Sequence, residues 1–150
     1  MYIIGVDPGK SGAAAHIVDG KLTRVVSFNG EIENCRMIAS GSYAYTPTYF
    51  IERVTASPNM GVVSAFTFGR WFEAVFCTAT LSRCAVHLVR PTIWQNAIGV
   101  FSGGDKSVLY NYAKKLYPTE FGAKVFNKAT SDAVLIAHYG WRYMVNNDRP

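Results

Sequence analysis

The chain has 150 residues, 49% of them hydrophobic, with 15 lysines and arginines against 10 aspartates and glutamates and a formal net charge of +5. That length suits a single domain over residues 1–150 and is too short for two comfortable ones, while the basic excess favours a polyanionic partner such as nucleic acid. Cys35, Cys77 and Cys84, without CxxC spacing, argue against a disulfide framework and a zinc site, and no apolar run approaches the roughly 20 residues that span a bilayer. With no signal-like segment after Met1, the expectation is a soluble, cytoplasmic protein without membrane association.

Tyr2 to Asp7 is a β-rich apolar run ending in a carboxylate and a Pro8-Gly9 turn, which predicts a strand with Asp7 at its exposed tip. Taken alone, Asp7 fits two readings: a metal ligand fixed on rigid backbone, or a turn acid bonding local amides. Ala13 to Asp19 and Leu22 to Phe28, joined by Asp19-Gly20, complete a three-stranded antiparallel meander. Glu31 to Ala39 reads as a short helix and Gly41 to Pro47 as a loop. Thr48 to Val54 is a buried strand with a second acid, Glu52, near its end.

After a loop from Thr55 to Met60, apolar residues at helical spacing predict one long helix over Val62 to Leu81. Its aromatics, Phe66, Phe68, Trp71, Phe72 and Phe76, suit packing on a sheet, with a surplus for a dimer face; Gly69 suits a close crossing there. Val86 to Val89 is a fifth strand. Pro91-Thr92 opens a short helix that Gly99 ends, Asp105 to Tyr117 is an amphipathic helix stopped by Pro118, and the last helix runs from Thr130 to Met144 before a frayed tail. The order predicts an α/β fold, a mixed five-stranded sheet of three antiparallel strands followed by parallel ones, flanked by helices.

Asp7, Glu52 and Asp132 stand at element ends. With the first and fourth strands parallel neighbours, and the last helix delivering Asp132, the three would meet at one sheet edge. Carboxylates that close share a proton or bind divalent cations, and a pair of such ions hydrolyses phosphodiesters; the competing reading is three unrelated acids at element ends. Lys106, at a helix start beside Gly103-Gly104, suits a phosphate or is a solvated lysine. Asp105 separates that lysine from the last glycine, so GVFSGGDKS is not a nucleotide-binding loop and no nucleotide cofactor is expected. His16, His87 and His138 lack metal spacing and read as structural.

GVDPGKSGAAAHI, FIERV with the SAFTFGRWF helix, the GGDKS helix start and SDAVLIAHYG, in that order and separation, resemble the phage-type RuvC Holliday junction resolvases of the RNase H-like (retroviral integrase) superfamily over most of the chain. The resemblance implies an RNase H-like fold and a homodimeric endonuclease using two Mg²⁺ ions per site, with Mn²⁺ as a substitute. Its substrate would be four-way or other branched DNA arising in DNA recombination and repair, met in the host cytoplasm if the protein is encoded by a bacteriophage. It implies Asp7, Glu52 and Asp132 as metal ligands and, with Lys106, as catalytic residues, and adds Lys10 and Lys106 as DNA contacts. Arg53 and Arg70 fit either phosphate contacts or structural partners of acids, and Met60 either an apolar wedge in the junction or a core residue. Trp94, where the family has a lysine nearby, either contacts DNA or packs.

One departure bears on chemistry. The family carries an Asp or His three residues before the last acid, and here that position is Ala129, which removes a ligand and weakens one of the two ion sites. Asn127, Thr130 and Ser131 are neutral oxygen donors nearby, whereas His138 projects about 240° round the helix from Asp132. The alternatives that follow are a catalytically weakened branched-DNA-binding protein, or a general RNase H-like nuclease.

Overall fold

The computed structural model describes residues 1–34, 46–53, 55–56, 58–119 and 126–147. Its strands are β1 (Tyr2–Asp7), β2 (Ala13–Val18), β3 (Lys21–Ser27), β4 (Thr48–Glu52) and β5 (Ala85–Val89). The helices described are α1 (Val62–Leu81), α2 (Pro91–Ile98), α3 (Lys106–Leu116) and α4 (Ser131–Asn147). One mixed sheet runs β3-β2-β1-β4-β5, antiparallel across β3, β2 and β1 and parallel across β1, β4 and β5.

The hairpin between β2 and β3 forms as its sequence demands, since Asp19 and Gly20 both take positive φ, 48° and 81°. Strand alternation then divides β1 between two cores. Tyr2, Ile4 and Val6 join Tyr49 and Ile51 of β4 and bury Trp71, Val75 and Ala79 of α1. Ile3 and Phe50 lie in the other core with α4 residues Ala133 to Ala137. Asp7 and Glu52 keep the parity of Ile3 and Phe50, so both belong to the face that α4 covers.

Two glycines let α4 lie close to that face. A Cβ on Gly5 would press on the backbone of Ala137 and sit 2.6 Å from the Ala133 carbonyl, and one on Gly140 would sit 2.5 Å from the Phe50 ring. Burial from Ser131 to His138 on nearly all sides follows, because this helix packs on β1, β2 and β4 and also meets α2 and α3. The remaining helix ends obey local rules. Pro91 opens α2 and Gly99 closes it at φ 75°, while the Asp105 carboxylate accepts the Ser107 amide at 2.8 Å to cap α3.

The sequence-based boundaries hold to within about three residues. α1 has the expected limits; β5 begins one residue earlier, at Ala85, and α4 runs on to Asn147. The short helix expected over Glu31 to Ala39 lies outside the described residues from position 35; the part described is a turn closed by the Glu31 amide on the Phe28 carbonyl at 2.8 Å. Most of the expected loop from Gly41 to Pro47 and the end of the Thr48 to Val54 strand also fall outside them. The aromatics of α1 differ from expectation: none of the residues from Val62 to Arg70 is buried, and Phe66 is 76% exposed. Among the described residues no helix is long and apolar enough to cross a membrane.

Candidate active site

Asp7 ends β1 and Glu52 ends β4, and the parallel register that sets Val6 against Ile51 brings these acids side by side. Asp132 reaches them from the first turn of α4. An open cavity of about 500 Å³ at this sheet edge is lined by the three acids together with Lys106, Lys128 and Ala129, and walled by Gly9, Gly12 and Phe68. Gly12 closes the turn so tightly that a Cβ there would collide with the Asp7 carbonyl, which ties the Pro8-Gly9 turn to the position of the first acid.

Each acid has a distinct set of partners. The Trp94 indole N–H donates to Glu52 Oε1 at 3.1 Å from an almost wholly buried ring, which fixes the carboxylate's orientation. The Lys106 ammonium donates to Asp132 Oδ2 at 2.9 Å. Asp132 Oδ1 is buried with no hydrogen-bond partner, a costly arrangement for a carboxylate oxygen. Asp7 and Glu52 share a hydrogen bond, and burial, followed by the charges of Glu52 and Asp132, holds the Asp7 carboxyl well above the usual carboxylate range. Burial also raises Glu52, with the Trp94 bond opposing it and Asp132 adding to it. For Lys106 burial disfavours the charge, but the hydrogen bond and charge of Asp132, aided by Asp7 and Glu52, prevail and raise its pKa.

By donor chemistry these groups fit a hard divalent cation: every ligand candidate is a carboxylate oxygen, and Asp132 Oδ1 faces no partner. As the side chains stand, no three His, Cys, Asp or Glu among the described residues are spaced to enclose one ion. The Lys106 ammonium, paired with Asp132, offsets part of the negative charge.

The other expected site residues fall elsewhere. Lys10 is exposed, its stem beside Gly30, and Arg70 is exposed on α1. Met60 is half-buried just before α1. Arg53 stays on the β5 side, where its amide donates to the Val89 carbonyl at 2.8 Å and its side chain lines a separate groove with Arg90, His87, Tyr139 and Tyr143. None of these four lines the carboxylate cavity. Ala129 does line it, and no neutral donor takes its place: Asn127 Oδ1 accepts the Ala129 and Thr130 amides at 2.8 and 3.2 Å, and the Thr130 and Ser131 hydroxyls donate to the backbone carbonyls of Asn127 and Lys128. His138 points away, its Nδ1 hydrogen-bonded to the Tyr117 hydroxyl at 2.9 Å.

The role of Trp94 and the presence of Lys128 escaped the sequence reading. Trp94 neither contacts solvent nor merely packs, since it holds Glu52. Lys128 lines the cavity, with its ammonium 2.7 Å from the Ser107 hydroxyl; the available signal was a lysine inside the Asn127–Thr130 cap that launches α4.

The sheet order, the crossing of α4 and the position of the acids define a RuvC-like fold of the RNase H-like class. The chain is similar to Thermus thermophilus RuvC in complex with a Holliday junction substrate, with a TM-score of 0.69 and 16% identity over 97% of this chain and 96% of that one. A second Thermus thermophilus RuvC structure gives a TM-score of 0.66 and 17% identity over 98% and 97% of the two chains. No protein-family model and no curated protein sequence matches the chain.

Proposed function

We propose that this protein is a single-domain, divalent-metal-dependent endonuclease that cuts four-way and other branched DNA. The observation that carries the reading is the meeting of Asp7, Glu52 and Asp132 with Lys106 on one open cavity, in a fold shared with a RuvC bound to a Holliday junction. Asp7, Glu52 and Asp132 are the residues that would hold the cation, Mg²⁺ with Mn²⁺ as a substitute, and such an ion would lower the pKa of a water and steady the leaving oxygen.

The chain's own residues do the rest. A divalent cation beside Asp7 would favour its ionised form, opposing the effect of burial. Trp94 keeps Glu52 turned toward the cavity. Lys106, released from Asp132, donates to the scissile phosphate, and the glycine turn from Gly9 to Gly12 lets backbone approach the DNA closely. Lys10, Arg53, Arg70 and Met60, outside the cavity, contact the arms and centre of the junction. A homodimer, formed through the exposed ridge of α1, presents two such sites to the paired strands and acts in the cytoplasm.

Ala129 favours a second reading, a branched-DNA-binding protein with weakened catalysis. Cleavage of labelled four-way junction, linear duplex and RNA–DNA hybrid with Mg²⁺ or chelator separates the two and distinguishes a general RNase H activity. Asp7→Asn is expected to slow junction cleavage by at least about 10²-fold while leaving junction affinity near the parent's. An Asp7→Asn protein that still cuts at the parent rate would remove the cavity from the chemistry.

A further inference from the structure

The charges lining the cavity do not balance two divalent ions. Asp7, Glu52 and Asp132 carry three negative charges when ionised, and Lys106 and Lys128 carry two positive ones. One divalent cation brings the lining to a net charge of about +1, matched to a single phosphodiester; two would bring it to about +3 with no further carboxylate to share. Oxygen supply gives the same answer. Asp132 offers one buried, unpartnered oxygen and a second that Lys106 holds until a phosphate draws the ammonium away, and the hydroxyls and amide that precede it are engaged in capping α4.

Lys128 stands beside the resulting gap. Its neighbour Ala129 presents only a methyl group to the cavity, and its own ammonium rests on Ser107 Oγ at 2.7 Å, a neutral acceptor. The carboxylate whose charge it meets is Asp105, the exposed cap of α3. The lysine thus lies at the rim with a positive charge to offer and a hydroxyl to hold it there.

We propose that the site loads one divalent cation rather than two, and that Lys128, with Lys106, supplies to the scissile phosphate the positive charge a second ion would bring. This rests on the nuclease reading above but concerns a count and a residue which that reading leaves open. Lys128 is a phosphate-binding residue on this view, and the RuvC-like acid site has exchanged an ion for an ammonium.

The test counts Mn²⁺ bound per full-length chain by electron paramagnetic resonance, with Mg²⁺ titration calorimetry alongside, for the parent, Ala129→Asp and Ala129→Glu. One ion is expected in the parent and two in an acidic variant, either acid sufficing should the other disturb the turn. Two ions in the parent overturn the inference and leave the nuclease reading standing; no ion in any of them overturns that reading as well. Junction affinity in Ca²⁺ supplies the second readout. Lys128→Ala is expected to weaken it about tenfold in the parent, the worth of one charge-assisted hydrogen bond, and far less in the Ala129→Asp background. Equal losses in the two backgrounds, or no loss in the parent, refute the part assigned to Lys128.

Discussion

Replacing Gly5 by alanine tests whether the seat of α4 on β1 sets the geometry of the acids. The new methyl would press on the Ala137 amide nitrogen and lie 2.6 Å from both the Ala133 carbonyl oxygen and the Ala137 Cα. Carbon contacts become comfortable at about 3.5 Å, so the helix must retreat by roughly 1 Å. Backbone lies on both sides of the contact, and no side chain can swing clear. The expected destabilisation is therefore near the upper end for overpacking, about 3 kcal/mol, lessened by up to about 1 kcal/mol because alanine restricts the unfolded chain. Asp7 lies two residues along β1 and Asp132 rides on α4, so the same retreat separates the acids. A displacement of that size costs on the order of 10²-fold in rate.

Urea unfolding measures the first effect and single-turnover cleavage of a four-way junction the second. Gly140→Ala is the control: its methyl meets the Phe50 ring, a side chain able to move, two helical turns from Asp132, so stability should fall with a much smaller change in cleavage. A Gly5→Ala protein within about 0.5 kcal/mol of the parent and cutting at the parent rate would refute the reasoning.

Acid should unfold the protein partly through two buried histidines. Burial first, then Arg24 for His16 and Arg142 for His138, lowers each to about 4, against 6.5 in the unfolded chain. Between pH 6.5 and 4 the unfolded chain takes up protons that the folded one refuses, so stability falls by up to about 3 kcal/mol per histidine as pH drops. Asp7 and Glu52, whose folded pKa values are raised, act with opposite sign, so the histidine share is read by comparing urea unfolding of His138→Gln and parent at pH 7, 5 and 4; parallel profiles would contradict it. Phe66→Glu, on a ridge where Val62 is 85% and Val63 80% exposed and nothing lies within 4 Å of a Cβ on Gly69, should convert the proposed dimer to monomer in sedimentation without changing the helical circular dichroism. A monomeric parent would dispose of the dimer.

The strands and the acids at their tips were legible because period-two burial and the Pro-Gly and Asp-Gly turns are local signals. Asp7 and Glu52 could be set on one face as soon as β1 and β4 were taken as parallel neighbours, and the cap before α4 made Asp132 a first-turn residue. Trp94 and Lys128 were hidden for the opposite reason. Trp94 reaches Glu52 only because β5 lies beside β4 and α2 folds back beneath it, a relation across 42 residues that no window contains. Lys128 finds Ser107 because two helix starts face each other across the cavity. Arg53 lies off the carboxylate cavity because its amide prolongs the pairing with β5 and sets the residue beside the neighbouring groove. The aromatics of α1 have helical spacing, but only Trp71, Val75 and Ala79 are buried, and amphipathic periodicity does not reveal where along a helix the sheet beneath it stops.

The parallel pairing of β1 with β4 and the late arrival of α4 have a consequence for the newborn chain. Residues 7, 52 and 132 are strung across the sequence, so during synthesis the first two acids emerge long before the third. Until α4 docks on Gly5, Asp7 and Glu52 lack the lysine-bound Asp132 opposite them. The carboxylate cavity becomes complete only in a molecule whose last helix has been made and seated.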